Sequence, residues 1–143
     1  MIVFTYTALN GLDIMASDIQ NAYIQDLISE KCWTILGPEF GPELQGCNAY
    51  IMCAIYVTRC AEHDFRQHLR ECMELLGYTS CLADLDLWIS KCFNEYGCEY
   101  YEYILLYVDN CLCVSGRLME ALEEVKKYFL MNDLSIDPPN IYL

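Results

Sequence analysis

The stretch from Tyr100 to Ser115 constrains the fold more than any other part of the chain. Tyr100 to Val108 is a nine-residue run with a single charge. Its Tyr, Ile, Leu and Val content is too apolar for an edge strand and is typical of a central strand. Asp109-Asn110, a pair that tolerates positive φ, separates this run from Cys111 to Ser115. The pattern predicts a tight β-hairpin with this pair at its tip, and a plain type I′ turn would account for the pair as well.

Three further strands are predicted upstream. Apolar residues alternate along the run that ends at Asp18, which is the period of a half-buried strand. The short apolar runs Cys32 to Leu36 and Ala49 to Tyr56 contain β-branched and aromatic residues, as strands do. Between these two runs, Gly37 to Gly46 is rich in glycine and proline and is predicted to be a loop.

Two segments carry helical spacing. Apolar residues recur at intervals of three and four from Ala61 to Leu76, and Gly77 follows as a stop signal. Arg117 to Leu130 has the same spacing, and Ile141 to Leu143 would form a last short strand. The order of elements predicts an α+β fold of the ferredoxin-like, split βαβ type, with a mainly antiparallel sheet and helices packed on one face. Because that fold hosts many functions, it does not identify the chemistry.

The charge balance limits the partners of the chain. Its 8 Lys and Arg against 21 Asp and Glu give a net charge of −13. This composition disfavours binding to nucleic acid through phosphates, which depends on basic side chains. The longest uncharged stretch, Leu44 to Thr58, is 15 residues long and too polar to span a membrane. The first basic residue is Lys31, so a secretory signal is not expected, and we expect a cytoplasmic protein with no membrane partner.

Ten cysteines are present without any C-x-x-C pair. The best candidate set for a metal is Cys60, His63, His68 and Cys72. On a helix, however, the two histidines would point about 140° apart and could not share one ion. We therefore expect buried thiols in a reducing compartment. A cysteine-based metal or redox protein is the alternative, and it predicts bound zinc or an acidic thiol.

A basic stripe is predicted on the first helical segment. If that helix begins near Arg59, then Arg59, His63, Arg66 and Arg70 fall within about 60° of one another. Such a stripe is either a solvated face or a surface that meets a polyanion.

Two short segments carry a family resemblance. Asp18-Ile19-Gln20-Asn21-Ala22-Tyr23 resembles motif A of reverse transcriptases, and Tyr107-Val108-Asp109-Asn110 resembles their Tyr-x-Asp-Asp hairpin. Other segments are similar to copia-type retrotransposon enzymes: Ala8 to Leu12, Gly37 to Gly41, Ala54 to Tyr56 and Leu82 to Trp88. The resemblance covers nearly the whole chain. It implies a partial reverse transcriptase palm over residues 1–143, without the N-terminal part of the fingers, the thumb and the ribonuclease H region.

The resemblance also implies the catalytic groups. Asp18 and Asp109 would be catalytic, together with Asn110 at the second hairpin position. With the carbonyl of Ile19, the two aspartates would hold two Mg²⁺ or Mn²⁺ ions for nucleotidyl transfer from dNTPs to a primer on an RNA or DNA template. Other segments of a pol polyprotein would be further partners.

The resemblance assigns binding roles to the rest of motif A. Ile19, Gln20, Asn21 and Tyr23 would border the nucleotide, with Tyr23 excluding a 2′-hydroxyl by steric clash. The alternative for Tyr23 is a core aromatic residue. The candidates for template contacts are the three arginines of the stripe: Arg59, Arg66 and Arg70.

The chain departs from the family pattern at two places. Asn110 replaces the second aspartate of the hairpin, which removes a negative charge and a strong ligand. Tyr56-Val57-Thr58-Arg59 stands where the family has Tyr-Gly-x-Lys, so a β-branched residue replaces glycine. The resemblance therefore predicts an RNA-directed DNA polymerase with impaired activity. The alternative is a non-catalytic folded remnant or interaction module derived from a retrotransposon.

Overall fold

A computed structural model describes residues 2–55 and 60–132 of the chain. The helices in this part of the chain are α1 (Ile2–Asn10), α2 (Ala61–Leu75) and α3 (Leu118–Lys126). The strands are β1 (Asp13–Asp18), β2 (Leu27–Ile35), β3 (Asn48–Cys53), β4 (Thr79–Ser80), β5 (Leu87–Phe93), β6 (Glu99–Tyr107) and β7 (Asn110–Ser115). The chain divides into two compact units, and the second of them is Tyr23–His68. The fold is α+β with a mainly antiparallel sheet, as predicted.

The first unit is built on a five-stranded sheet in the order β1-β7-β6-β5-β4, with antiparallel neighbours throughout. The predicted central strand, β6, does lie in the middle. Side chains alternate along it, so Glu102, Ile104 and Leu106 are buried on one face. Leu118, Leu122 and Val125 of α3 are buried as well. The hydrogen bonds from Arg117 to Glu102 show that α3 covers this face.

Helix α1 packs on the other face of the same sheet. The ring of Tyr6 meets that of Tyr103 edge to face, with 4.9 Å between the ring centroids. The hydroxyl of Tyr6 donates a hydrogen bond to the carbonyl of Tyr101. Tyr101 and Tyr103 alternate with Glu102, so the tyrosine face is opposite the α3 face. The prediction that the helices pack on one face is therefore wrong. The tyrosine side chains of the second face are apolar enough to pack against a helix of their own, α1.

The β6–β7 turn lies one residue earlier than predicted. Tyr107 pairs with Asn110, so the two turn residues are Val108 and Asp109. Val108 has φ 56°, whereas Asp109 does not have a positive φ, which excludes the type I′ turn. A β-branched residue in this region is strained by on the order of 1–3 kcal/mol. The register is set by pairing with β1, where Asp18 faces Asn110.

The second unit contains the antiparallel pair β2 and β3 and the beginning of α2. Its core includes Tyr23 and Phe65, whose rings meet edge to face at 5.6 Å. The backbone amide of Ser29 donates a hydrogen bond of 3.0 Å to Oδ2 of Asp64 in α2. This bond lowers the pKa of the Asp64 carboxyl, because it stabilises the charged form. Both strands were predicted, but β2 begins earlier, at Leu27, than the predicted start.

Several other boundaries differ from the prediction. Helix α1 and strand β5 were not predicted, and α3 ends at Lys126 instead of continuing to Leu130. The last predicted strand, over residues 141–143, lies outside the described residues. Among the residues that are described, no helix is both long enough and apolar enough to cross a membrane.

Candidate catalytic carboxylates at one end of the sheet

The structure brings Asp18 and the tip of the β6–β7 hairpin together at one end of the sheet. Asp18 is the cross-strand neighbour of Asn110. The backbone amide of Ile19 donates a hydrogen bond of 2.6 Å to the carbonyl of Asp109. Directly opposite residues of an antiparallel pair have Cβ atoms about 4.5–5.5 Å apart on the same face. The segments that carry the two predicted catalytic aspartates are therefore adjacent, and both aspartates are half-buried.

Asn110 holds the carboxylate of Asp109. Its side-chain amide Nδ2 donates a hydrogen bond of 2.9 Å to Oδ1 of Asp109. An aspartate at position 110 would have no proton to donate and would place a like charge beside Asp109. The asparagine therefore stabilises the turn in the absence of a cation and occupies one carboxylate oxygen.

The chain that follows α3 fixes the end of β1. The amide of Asn132 donates to the carbonyl of Asp18, and the amide of Gln20 donates to the carbonyl of Leu130, each at 2.8 Å. Ile19 and Met131 form an isolated antiparallel bridge between these two bonds. The edge of β1 is thus covered beside the site, which fixes the backbone at Asp18.

The oxygen atoms at this position suit a hard cation. Asp18 and Asp109 supply two carboxylates, and the carbonyl of Ile19 accepts no hydrogen bond from any described residue. Such ligands suit Mg²⁺, which keeps several waters or takes substrate oxygens to complete its shell. No group of three or more His, Cys, Asp or Glu in residues 2–55 and 60–132 could hold a metal ion. Two carboxylates and one carbonyl would leave the rest of the coordination shell of such an ion to water or substrate.

The remaining residues of the segment that resembles motif A lead away from β1. Gln20 and Asn21 are exposed, and Asn21 has φ 52°, a conformation that asparagine tolerates better than most residues. A single 3-10 turn, Ala22–Gln25, follows and contains Tyr23. Tyr23 is 9% exposed and packs on Phe65 in the second unit. This packing is what a core aromatic residue requires, so the role of Tyr23 beside a deoxyribose stays a prediction.

Two of the three candidate template contacts lie on α2. Arg66 is exposed, and its Nε is 3.5 Å from Oε1 of Glu62, one helical turn earlier. Arg70 is exposed and has no ion pair with any described residue. Arg59 lies outside the described residues, as does the whole segment 56–59 in which the chain departs from the family pattern. Contact of these arginines with a template stays a prediction.

A buried polar network, which the sequence reasoning missed, lies on the α3 face of the sheet. Glu102 is fully buried. Its carboxylate accepts hydrogen bonds from the hydroxyls of Tyr78 at 2.6 Å and Ser115 at 2.7 Å. Nη2 of Arg117 donates to the same carboxylate at 2.8 Å, and Nη1 donates to Glu124 at 2.9 Å. The network joins β6, β7 and the beginning of α3.

The charges in this network stabilise one another. Burial alone would raise the pKa of Glu102, but the hydrogen bonds from Arg117, Tyr78 and Ser115 outweigh it, and the pKa is lowered. Burial and the bond to Glu102 raise the pKa of Tyr78 above its ordinary value. The sequence signal was the single charge within the apolar run of β6, since a charge there requires a partner.

The cysteines divide into buried and accessible thiols. All ten are free; Cys60, Cys72, Cys111 and Cys113 are buried, whereas Cys47 and Cys98 are exposed. Burial raises the pKa of Cys111 to about 12. The prediction of buried thiols is therefore right for some of the cysteines and wrong for the two exposed ones.

The two histidines of the rejected metal set lie on α2. His68 Nδ1 is 3.3 Å from Oδ1 of Asp26, and His63 is exposed.

Comparisons with protein-family models, with curated proteins and with solved structures find no match to this chain.

Proposed function

We propose that this chain is the palm of a copia-type reverse transcriptase, an RNA-directed DNA polymerase in which Asp18 and Asp109 are the catalytic carboxylates. One observation carries the proposal: Asp18 pairs with Asn110, and the Ile19 amide donates to the Asp109 carbonyl at 2.6 Å. Nucleotidyl transfer requires two carboxylates on one ion-binding surface, and the motif resemblance names these same residues. The proposed partners are a primed RNA or DNA template, dNTPs and other segments of a pol polyprotein.

Each group at this end of the sheet has a role in the proposal. Asp18, Asp109 and the Ile19 carbonyl would hold Mg²⁺ or Mn²⁺, which supplies positive charge for the triphosphate and for a deprotonated primer hydroxyl. The bonds from Asn132 and Gln20 keep the Asp18 backbone in place. Preorganisation of this kind lets the carboxylates meet a cation without rearrangement of the strand.

Asn110 weakens this site in two ways. It contributes no charge, and its amide occupies an Asp109 oxygen at 2.9 Å that a cation would need. An amide is also a weaker ligand than a carboxylate for a hard dication. The proposal is therefore a polymerase palm of low activity.

The same hydrogen bond favours a second candidate, a folded remnant without catalysis. In that case Asn110 stabilises a turn that no longer binds a cation. The net charge of −13 also opposes the binding of a template.

Primer extension separates these candidates. The chain is incubated with a primed RNA template, dNTPs and either Mg²⁺ or Mn²⁺, and compared with its Asn110→Asp variant. The palm proposal predicts about tenfold or more extra extension with the variant, because a carboxylate returns beside the cation. Asp109→Asn in the same background is the control and should abolish the gain. Equal extension by the chain and its variant would refute impairment, and no extension by either would favour the remnant.

A further inference from the structure

An open cleft of about 700 Å³ lies at the other end of the five-stranded sheet. Its lining includes Glu99 and Tyr100 at the beginning of β6, whereas Asp109 follows the end of that strand. Nine residues of antiparallel strand extend about 30 Å, so the cleft is well separated from the carboxylates. Three turns border it: those after α1, between β5 and β6, and between β7 and α3. Its volume is in the range of about 300–1,000 Å³ that is typical of ligand sites.

The basic side chain in the lining of this cleft offers no positive charge to an anion. Arg117 is the one lysine or arginine among the residues that line it. Its guanidinium donates to the carboxylates of Glu102 at 2.8 Å and Glu124 at 2.9 Å. Because these two carboxylates balance its charge, the cleft does not favour a phosphate or a carboxylate ligand.

Two of the three acidic side chains of the lining are, by contrast, available. Glu95 and Glu120 both line the cleft, and neither carboxylate has a hydrogen bond or ion pair with any described residue. A concave surface lined by free charges of one sign concentrates their negative field. The chain as a whole adds to this field with its net charge of −13.

Two aromatic side chains are exposed in the lining of the cleft. Phe93 and Tyr96 line the cleft and are 65% and 86% exposed, so their rings can meet a ligand. The faces of aromatic rings attract cations, and the attraction adds to that of a nearby carboxylate.

A lysine at the edge of the cleft already makes both kinds of contact, with a carboxylate and with an aromatic ring. Lys91 is not part of the lining, but its Nζ is 2.7 Å from Oε2 of Glu99 and 6.0 Å from the centroid of the Phe93 ring. Glu99 and Phe93 are both lining residues. Two side chains of the lining therefore hold an alkylammonium group, and Glu95 and Glu120 are two further carboxylates of the same cleft.

We propose that this cleft binds an alkyl guanidinium or ammonium group, carried either by a basic side chain of a protein segment or by a free polyamine. Anions are disfavoured because the arginine is neutralised. An apolar ligand is disfavoured because the carboxylates would lose their hydration without a partner. The site is independent of the proposed polymerase function, so either proposal can fail without the other.

Calorimetric titration tests this site with two probes, acetylarginine amide and spermidine, at physiological ionic strength. The cleft variant Glu95→Gln/Glu120→Gln is compared with Asp84→Asn/Asp86→Asn, which removes the same charge just before the beginning of β5, whereas the cleft borders the other end of that strand. We expect the cleft variant to bind about tenfold more weakly and the control to change less than about twofold, because screening over about 8 Å confines the effect to nearby charges.

The outcomes distinguish the source of the cation and the validity of the site. Stronger binding of acetylarginine amide assigns the cleft to a basic protein segment, and stronger binding of spermidine assigns it to a polyamine. Tyr96→Ser keeps the charge and should weaken binding about threefold through loss of the ring. Equal losses in the cleft variant and the control would refute the proposal, since they would indicate general attraction to an acidic chain. Absence of binding by both probes would refute it too.

Discussion

Replacement of Arg117 by methionine should strongly destabilise the first unit. The substitution keeps an apolar stem of similar length but removes the guanidinium that donates to Glu102 at 2.8 Å. Glu102 would then remain fully buried with only the hydroxyls of Tyr78 and Ser115 as donors. The loss of one partner leaves an uncompensated buried charge.

The size of this effect follows from the exposure of the groups. Breaking a buried ion pair on one side destabilises a protein by about 3–5 kcal/mol. The side chain of Glu102 is 0% exposed but that of Arg117 is 33% exposed, so water screens part of the interaction. We therefore expect a loss near the lower limit, about 3 kcal/mol, out of a total stability of about 5–15 kcal/mol.

Urea unfolding followed by circular dichroism measures this loss, with Lys91→Met as the matched control. Lys91 and Glu99 have a similar N–O distance, 2.7 Å, but their side chains are 51% and 42% exposed. The control should change the unfolding midpoint little, because exposed pairs contribute little. A double variant, Arg117→Met with Glu102→Leu, should recover much of the loss, because no buried charge remains. The reasoning is refuted if Arg117→Met destabilises no more than Lys91→Met.

Three further predictions follow from the same structure. Because the pKa of Glu102 is lowered on folding, its stabilisation is fully present above the ordinary carboxyl value of 4.5 and is lost as pH falls through the lowered pKa. Glu102→Gln should therefore flatten the acid side of a plot of unfolding free energy against pH, and an unchanged slope would contradict this. Val108→Gly should raise the free energy of unfolding by about 1 kcal/mol, because the strain that glycine relieves at this positive φ exceeds its entropic penalty. A lower free energy of unfolding in a urea titration would count against the strain. In the native protein, the exposed Cys98 should react with a thiol reagent within minutes. The buried Cys111, whose pKa is raised to about 12, should react only when the chain unfolds. Mass spectrometry of the labelled peptides gives the order of reaction.

The strands around the hairpin could be predicted because their pattern of apolar residues is clear. The apolar run that forms β6 and the alternating run that forms β1 both appear as strands, and β6 is central. The turn was misplaced by one residue because the residue preference of Asp109-Asn110 was weighed without the cross-strand register. Pairing with β1 sets that register, and it leaves Val108 with a positive φ that its side chain disfavours.

Other elements left no clear pattern in the sequence. Helix α1 has β-branched and aromatic residues on several sides, so neither a helical nor a strand period dominates it. The partners of Glu102 are also distant in sequence, since Tyr78 lies 24 residues earlier and Arg117 15 residues later. The closeness of Asp18 to Asp109 could be expected from topology. The hydrogen bond from Asn110 to Asp109 could not, because it depends on the side-chain geometry of the turn.

Manganese binding by three forms of the chain shows whether Asp18 and Asp109 act on one cation. Calorimetric titration with Mn²⁺ compares the chain with Asn110→Asp and with Asp18→Asn/Asn110→Asp. We expect Asn110→Asp to bind about tenfold more tightly and Asp18→Asn to abolish the gain, because the carboxylates act on one ion. If Asn110→Asp leaves the affinity unchanged, or if the gain survives Asp18→Asn, the two strand ends do not form a cation site and the polymerase proposal is contradicted.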